Sequence, residues 1–252
     1  MGLIMRILLI IILLFSPLSL NAEDFKEAVR SWKLAAKQGY AHAQYNLGIS
    51  YMYGLGVPQD FKEAAKWYRL AAKQGYAHAQ HKLGLSYKHG QGVTQDFKEA
   101  VRWWKLAAKQ GYAHAQYNLG VMYMSGKGVP QDFKQAVIWW KLAAEKGDAN
   151  AQYNLGVMYM SGKGVPQDFK QAVIWWKLAA DKGDANAQYN LGLSYKNAQD
   201  YKQAYAWFHI AAVNGHKEAV KYRDIIKGKM SEQAIFEAQE LSKELFAKYN
   251  KQ

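Results

Sequence analysis

The stretch DFKEAVRWWKLAAKQGYAHAQYNLGVMYMSGKGVPQ, residues Asp96 to Gln131, decides the fold, because the chain keeps repeating it. Asp24, Asp60, Asp96, Asp132 and Asp168 each open a near-copy at intervals of 36 residues, and Asp200 opens another 32 residues later. A fixed period of this length marks a solenoid of stacked helical pairs. In such an array no single pair can bury its own apolar face.

One copy reads as two helices. The first is predicted from Phe97 to about Gln110, with Asp96 as N-cap and Glu99 three residues on, so that a capping box is available. Gly111, free to take positive φ, ends it. Ala100, Trp103, Trp104 and Ala107 recur at helical spacing and form one wide apolar face, and this element is the Trp helix. The second is predicted from about Ala113 to Ser125, with Ala115, Leu119, Gly120 and Tyr123 along one side. Gly120 leaves room for a neighbouring helix to come close, and this element is the Leu-Gly helix. Gly126-Lys127-Gly128-Val129-Pro130 then turns the chain back. No segment alternates with period two, so essentially no strand is expected.

The pattern A-x-x-x-L-G-x-x-Y-x-x-G-x-G-V followed by D-x-x-x-A-x-x-W-x-x-A-A-x-x-G resembles the Sel-one-like repeat family (SLR), a relative of tetratricopeptide repeats. The resemblance covers Asp24 to Gly215, with about a dozen positions matching in register several times over. It implies an all-α fold, a right-handed α/α superhelical solenoid whose Leu-Gly helices line the concave side. It also implies adaptor or scaffold work through protein binding. Residues 23–39 are expected to form an N-terminal capping helix. Five helix pairs follow over 40–215, at about 40–75, 76–111, 112–147, 148–183 and 184–215. Residues 216–252 hold a degenerate repeat and a C-terminal capping helix, with Ser231 as its N-cap and Ile235, Ala238, Leu241 and Leu245 on one side. Ser31 replaces the first Trp of the usual pair, and the fifth loop, Lys196 to Gln199, lacks the Gly-x-Gly-Val turn.

The amino terminus has the layout of a secretory signal peptide over residues 1–22: Arg6, the apolar run Ile7 to Phe15, then Ser16, Pro17 and Ser19, with cleavage near Ala22. The run falls short of the roughly 20 apolar residues of a bilayer span, so no transmembrane span is expected in the mature chain. The expected location is periplasmic or secreted. There is no Cys, so no disulfide staples the fold, and stability must come from stacked apolar surface.

The chain is basic, with 33 Lys and Arg against 20 Asp and Glu. Lys98, Arg102, Lys105 and Lys109 form one stripe opposite the apolar face of the Trp helix, and the same stripe occurs as Lys26, Arg30, Lys33, Lys37 and as Lys62, Lys66, Arg69, Lys73. It reads either as a solvated convex surface or as a rail for an acidic polymer. Ile138, Glu145, Ile174 and Asp181 interrupt it in later copies. Nucleic-acid recognition motifs are absent, and no nucleic-acid partner is expected.

The informative positions lie on the Leu-Gly helices. Candidate partner-binding residues are His42, Tyr45 and Asn46, then His78, His81, Lys82 and His89, then His114, Tyr117 and Asn118, then Tyr153 and Asn154, and finally Tyr189 and Asn190. Tyr offers a broad ring with a polar tip, and Asn both donates and accepts, which suits an extended peptide. The plainer alternative is that they pack adjacent helices and solvate the inner wall. The cluster His78, His81, His89 could in principle share a metal ion, but Lys82 beside it repels a cation and no Cys or carboxylate completes a shell, so no metal and no cofactor is expected. No nucleophile, P-loop or zinc-hydrolase motif is present. The expectation is a monomeric, non-enzymatic, exported scaffold that binds a protein or peptide in its concave groove. The alternative is an envelope factor that binds a glycan or cell-wall polymer through the basic convex face.

Overall fold

A computed structural model describes residues 22–249, and the expected leader, Ala22 apart, lies outside them. The described residues contain 13 helices and no strand. They fall into two compact units divided after Gln95. The first holds α1 (Ala22–Lys37), α2 (Ala41–Tyr53), α3 (Phe61–Lys73) and α4 (Ala77–His89). The second holds α5 (Phe97–Lys109), α6 (Ala113–Ser125), α7 (Phe133–Glu145), α8 (Ala149–Ser161), α9 (Phe169–Ala180), α10 (Ala185–Asn197), α11 (Tyr201–Val213), α12 (Lys217–Lys227) and α13 (Glu232–Tyr249). Odd-numbered helices to α11 are Trp helices, and α2, α4, α6, α8 and α10 are Leu-Gly helices. Within each unit a helix packs chiefly on those before and after it, except that the last, α13, packs on α11, and the fold is an all-α repeat solenoid.

The Trp helices start where an Asp can cap them. Asp60 accepts from the N–H groups of Lys62 and Glu63, and Asp96 from those of Lys98 and Glu99. Asp132, Asp168 and Asp200 accept from Gln135, Gln171 and Gln203. Each cap satisfies helix-end donors and is worth about 1 kcal/mol. The other half of the expected capping box goes elsewhere. The Glu99 carboxylate turns outward and pairs with Arg102 at 3.2 Å.

Pairs lock through the Leu-Gly glycine. A methyl group at Gly120 would run into the Trp140 indole, at Gly156 into Trp176, at Gly48 into Tyr68 and at Gly192 into Phe208. The indole nitrogens of Trp140 and Trp176 then donate to the Tyr117 and Tyr153 carbonyls, each at 3.2 Å. Gly128, with φ of 73°, lies against the Phe97 carbonyl, so the loop closes on the start of its own repeat.

A second lock is a buried glutamine. Gln44, Gln80, Gln116, Gln152 and Gln188 donate through Nε2 to the carbonyls of Ala36, Ala72, Ala108, Ala144 and Ala180, at 3.1–3.4 Å. Each bond joins a Leu-Gly helix to the C-terminal turn of the Trp helix before it, at a carbonyl that also accepts from the glycine N–H three residues on.

The ends differ from the middle. On α1, Ala28, Trp32 and Ala35 are only half-buried, whereas Ala64, Tyr68 and Ala71, which stand at the same places on α3, are buried. No Leu-Gly helix precedes α1 among the described residues to cover them. At the other end Ser231 precedes α13, and its hydroxyl accepts from the Ala234 N–H at 3.3 Å. Ala238 is fully buried and Leu245 reaches the apolar cluster of Trp176, Leu191 and Trp207. Its outer face is polar at Glu237, Lys243, Glu244 and Lys248, but Phe236 stands exposed among them.

Candidate binding face of the Leu-Gly helices

On a Leu-Gly helix the burial pattern separates two sides. In α2, Ala43, Gln44, Leu47 and Gly48 are buried, while His42, Tyr45, Asn46, Ile49 and Tyr53 remain exposed or half-exposed. These last five follow helical spacing and share one stripe. The stripe on α4 is His78, His81, Lys82, Leu85 and His89.

In the first unit the two stripes meet through their rings. Tyr45 lies 5.3 Å from Tyr76 and 6.0 Å from His78, and Tyr76 stacks on His78 at 5.3 Å. His42 approaches Tyr76 edge-on at 6.1 Å, and its Nδ1 is 3.3 Å from Asn46 Nδ2. Further along, the Lys82 ammonium sits over the Tyr53 ring at 5.8 Å. His78 and His89 are exposed and Lys82 half-buried. His81 differs from the expectation of an open groove residue, since only 8% of it is exposed. It stands where sibling copies carry Tyr, and its shorter ring stays beneath the surface.

In the second unit His114 is exposed, and Tyr117, Tyr153, Asn154, Tyr189 and Asn190 are half-buried. Asn118 is buried, with 9% exposed. The His114 ring nitrogen lies 3.4 Å from Asp148, whose carboxylate also caps α8 through the Ala151 N–H. Burial raises the Tyr117 hydroxyl above its ordinary value, and the Asp148 charge adds to the effect, while a hydrogen bond from Asn154 opposes it. The Tyr189 ring stacks on His216 at 4.1 Å and meets Tyr222 edge-on at 5.6 Å. Its hydroxyl donates to Glu218 at 3.3 Å. Burial, then Tyr222 and Glu218, push that hydroxyl well above the usual tyrosine range. The sequence reading did not single out His216, Glu218 or Tyr222. They belong to the degenerate copy, where repeat register no longer identifies a position.

The outer face has its own partners. Lys26 pairs with Glu23, Lys66 with Glu63 and Arg102 with Glu99, at 3.1, 3.0 and 3.2 Å. Lys33, Lys105 and Lys177 lie over the rings of Tyr51, Tyr123 and Tyr195, and Arg69 donates to the Tyr87 hydroxyl at 3.1 Å.

Two clefts also lie on the surface of the described residues. One of about 420 Å³ is lined by Lys62, Gly90, Gly92, Val93 and Thr94. The other, about 300 Å³, is lined by His209, Val213, Ser242, Lys243, Phe246 and Ala247. Neither brings together a carboxylate pair, and in the second, where Ser242 and His209 share the lining, the Ser242 hydroxyl donates to the Ala238 carbonyl at 2.7 Å. Among the described residues no three His, Cys, Asp or Glu side chains converge as metal ligands. No helix among them is long and apolar enough to cross a membrane.

The Sel1 repeat family matches residues 41–76, 77–112, 113–148, 149–184 and 185–216, well over half of the chain. The chain belongs to the Sel1 repeat family. This Sel1-repeat protein is similar to a Sel1 repeat protein from Oxalobacter formigenes, with 34% identity over 86% of this chain and 91% of that one, and a TM-score of 0.74. It is also similar to c5321, a protective antigen of uropathogenic Escherichia coli with an SLR fold, at 29% identity and a TM-score of 0.59. That match covers 89% of this chain and 57% of the antigen. Comparison with curated proteins gives no match.

Proposed function

We propose that this Sel1-repeat protein is an exported, non-enzymatic adaptor that holds a protein or peptide partner against the exposed stripe of its Leu-Gly helices. The observation that carries the reading is the pre-organisation of that stripe. Tyr45, Tyr117 and Tyr189 are each half-exposed, yet each is held by rings or hydrogen-bonding groups of the adjoining copy. Rings fixed before binding lose little entropy on contact, and Tyr gives large contact area for few torsions. The outer cations support the same reading from the opposite side, because much of their charge already faces a carboxylate or a ring. The leader-like residues before Glu23 support the exported part of this reading, a monomer in the periplasm or outside the cell.

The test is site-specific crosslinking in the protein's own cells. A photo-reactive residue at Tyr153 should capture a defined partner, and one at Lys141 on the outer face should not. Tyr117→Ala with Asn154→Ala should weaken capture about tenfold or more, in the range of paired hot-spot losses, while Arg102→Glu with Lys105→Glu leaves it within about twofold. Adducts from Lys141 alone, lost at high salt, would move the function to the basic outer face and an envelope polymer.

A further inference from the structure

The inner stripe has a charge bias that the repeat does not require. None of the five Leu-Gly helices contains a single Asp or Glu. Every outer helix of the first unit carries a carboxylate, and the cations beside them are paired: Lys26 with Glu23 and Lys66 with Glu63. On α4 the bias is strongest, since five of its 13 residues are Lys or His: His78, His81, Lys82, Lys88 and His89. Sibling copies put Asn at the place of Lys82, Met or (in α10) Lys196 at that of Lys88, and Tyr, Ser or Asn at that of His89. This end of the stripe therefore carries basic groups where most copies carry neutral ones.

The geometry joins that charge to an aromatic platform. Tyr45, Tyr76, His42 and His78 form a continuous ring cluster with spacings of 5.3–6.1 Å between neighbours. About one helical turn further along α4 comes Lys82, with its ammonium over Tyr53. A cationic ligand is disfavoured here, because every charged side chain of α2 and α4 is basic. An anion-bearing ligand with an aromatic or ring-like side chain fits both halves.

We propose that the face shared by α2 and α4 receives an acidic, extended segment of the partner protein. Its carboxylates meet Lys82 and Lys88, and one of its aromatic side chains rests on the Tyr45–Tyr76 rings. The inference rests on the binding face proposed above and adds the chemistry of the ligand. Charge complementarity of this kind sets specificity and encounter rate as much as affinity.

The experiment uses the purified protein and two short fluorescein-labelled peptides, one alternating Glu and Tyr, the other alternating Gln and Tyr. Anisotropy should show the Glu peptide binding about tenfold tighter at low salt, with the gap narrowing as salt screens the charges. Lys82→Gln with Lys88→Gln should erase that preference. Lys62→Gln with Lys66→Gln, on the outer helix, should leave it within about twofold. Circular dichroism melts establish that both variants are folded, and equal affinity of the peptide pair on the parent protein overturns the proposal even where one is not. Equal affinity for the two peptides overturns the acidic ligand, while a joint loss of both on Tyr45→Ala keeps the inner face itself. Binding that follows the Lys62/Lys66 pair instead sinks the inner face. Heparin or single-stranded DNA competing as well as the Glu peptide, with a Glu/Ala peptide no weaker than Glu/Tyr, shows a site for bare polyanions and overturns the peptide assignment.

Discussion

At Gly120 one methyl group decides whether two helices can meet. The Trp140 indole occupies the space a Cβ would need, and its ring nitrogen is tied to the Tyr117 carbonyl of the same Leu-Gly helix. Gly120→Ala must therefore push the indole off both its packing and its hydrogen bond. The expected cost is about 1–3 kcal/mol, the usual size of overpacking in a close-packed interior. Urea unfolding of the variant measures it, and an unchanged midpoint would show that the helix pair tolerates separation. Gln199 calls for a substitution of the opposite sign. It has a φ of 61°, alone among the described non-glycine residues in having positive φ, because the shortened fifth loop lacks the glycines that turn its siblings. A side chain in that region costs about 1–2 kcal/mol, and glycine gives part of this back as unfolded-state entropy. Gln199→Gly should raise stability by about 0.5–1 kcal/mol, seen as a higher melting temperature.

Elements here are joined by groups that sequence reading ranks unevenly. Asp96 was legible as a cap because Asp ahead of an apolar helical run has an evident task, and Gly111 was legible as a stop. Gln116 was not, since Gln within a helix has the look of a surface residue, and its partner is a carbonyl eight positions back that only the folded turn brings near. His81 and Asn118 were misjudged as open for a related reason. Helical spacing gives the side of a residue, but depth depends on the neighbouring copy. The junction of α11 with α13 is expected to carry a pH dependence of the same hidden kind. His209 on α11 stacks near Tyr205 at 6.2 Å, lines the cleft with Ser242 and Lys243 of α13, and its Nδ1 has no hydrogen-bond partner among the described residues. Burial, and then the Arg223 charge, lower its proton affinity below the ordinary histidine value. The unfolded chain then binds more protons than the folded one, so stability is present above the unfolded value of about 6.5 and is lost as pH falls below it. Melting temperature should drop between about pH 7 and 5, and His209→Gln should flatten part of that slope. An identical slope in the variant would assign the dependence to other groups.

Across the molecule the repeat makes stability a property of neighbours. Within each unit a helix is held mainly by the helices adjoining it in sequence, α13 excepted, which packs on α11, so repeats should add nearly independently. The sequence provides a clean way to ask. Residues Val121 to Ala144 recur letter for letter at Val157 to Ala180, so deleting Val121–Gly156 removes one 36-residue period and leaves Gly120 followed by Val157. The new junction has the same sequence as the old one. Gly120 then meets Trp176, which arrives in the register of Trp140, and the Gln116 clasp to Ala108 is untouched. The shortened protein should keep its helicity per residue and unfold at lower denaturant. Its dependence on denaturant should fall by roughly one-sixth, in proportion to the surface removed. Collapse of the cooperative transition would instead mean that the copies are not interchangeable, and that His114 against Asp148 and its counterparts hold the stack in a particular order.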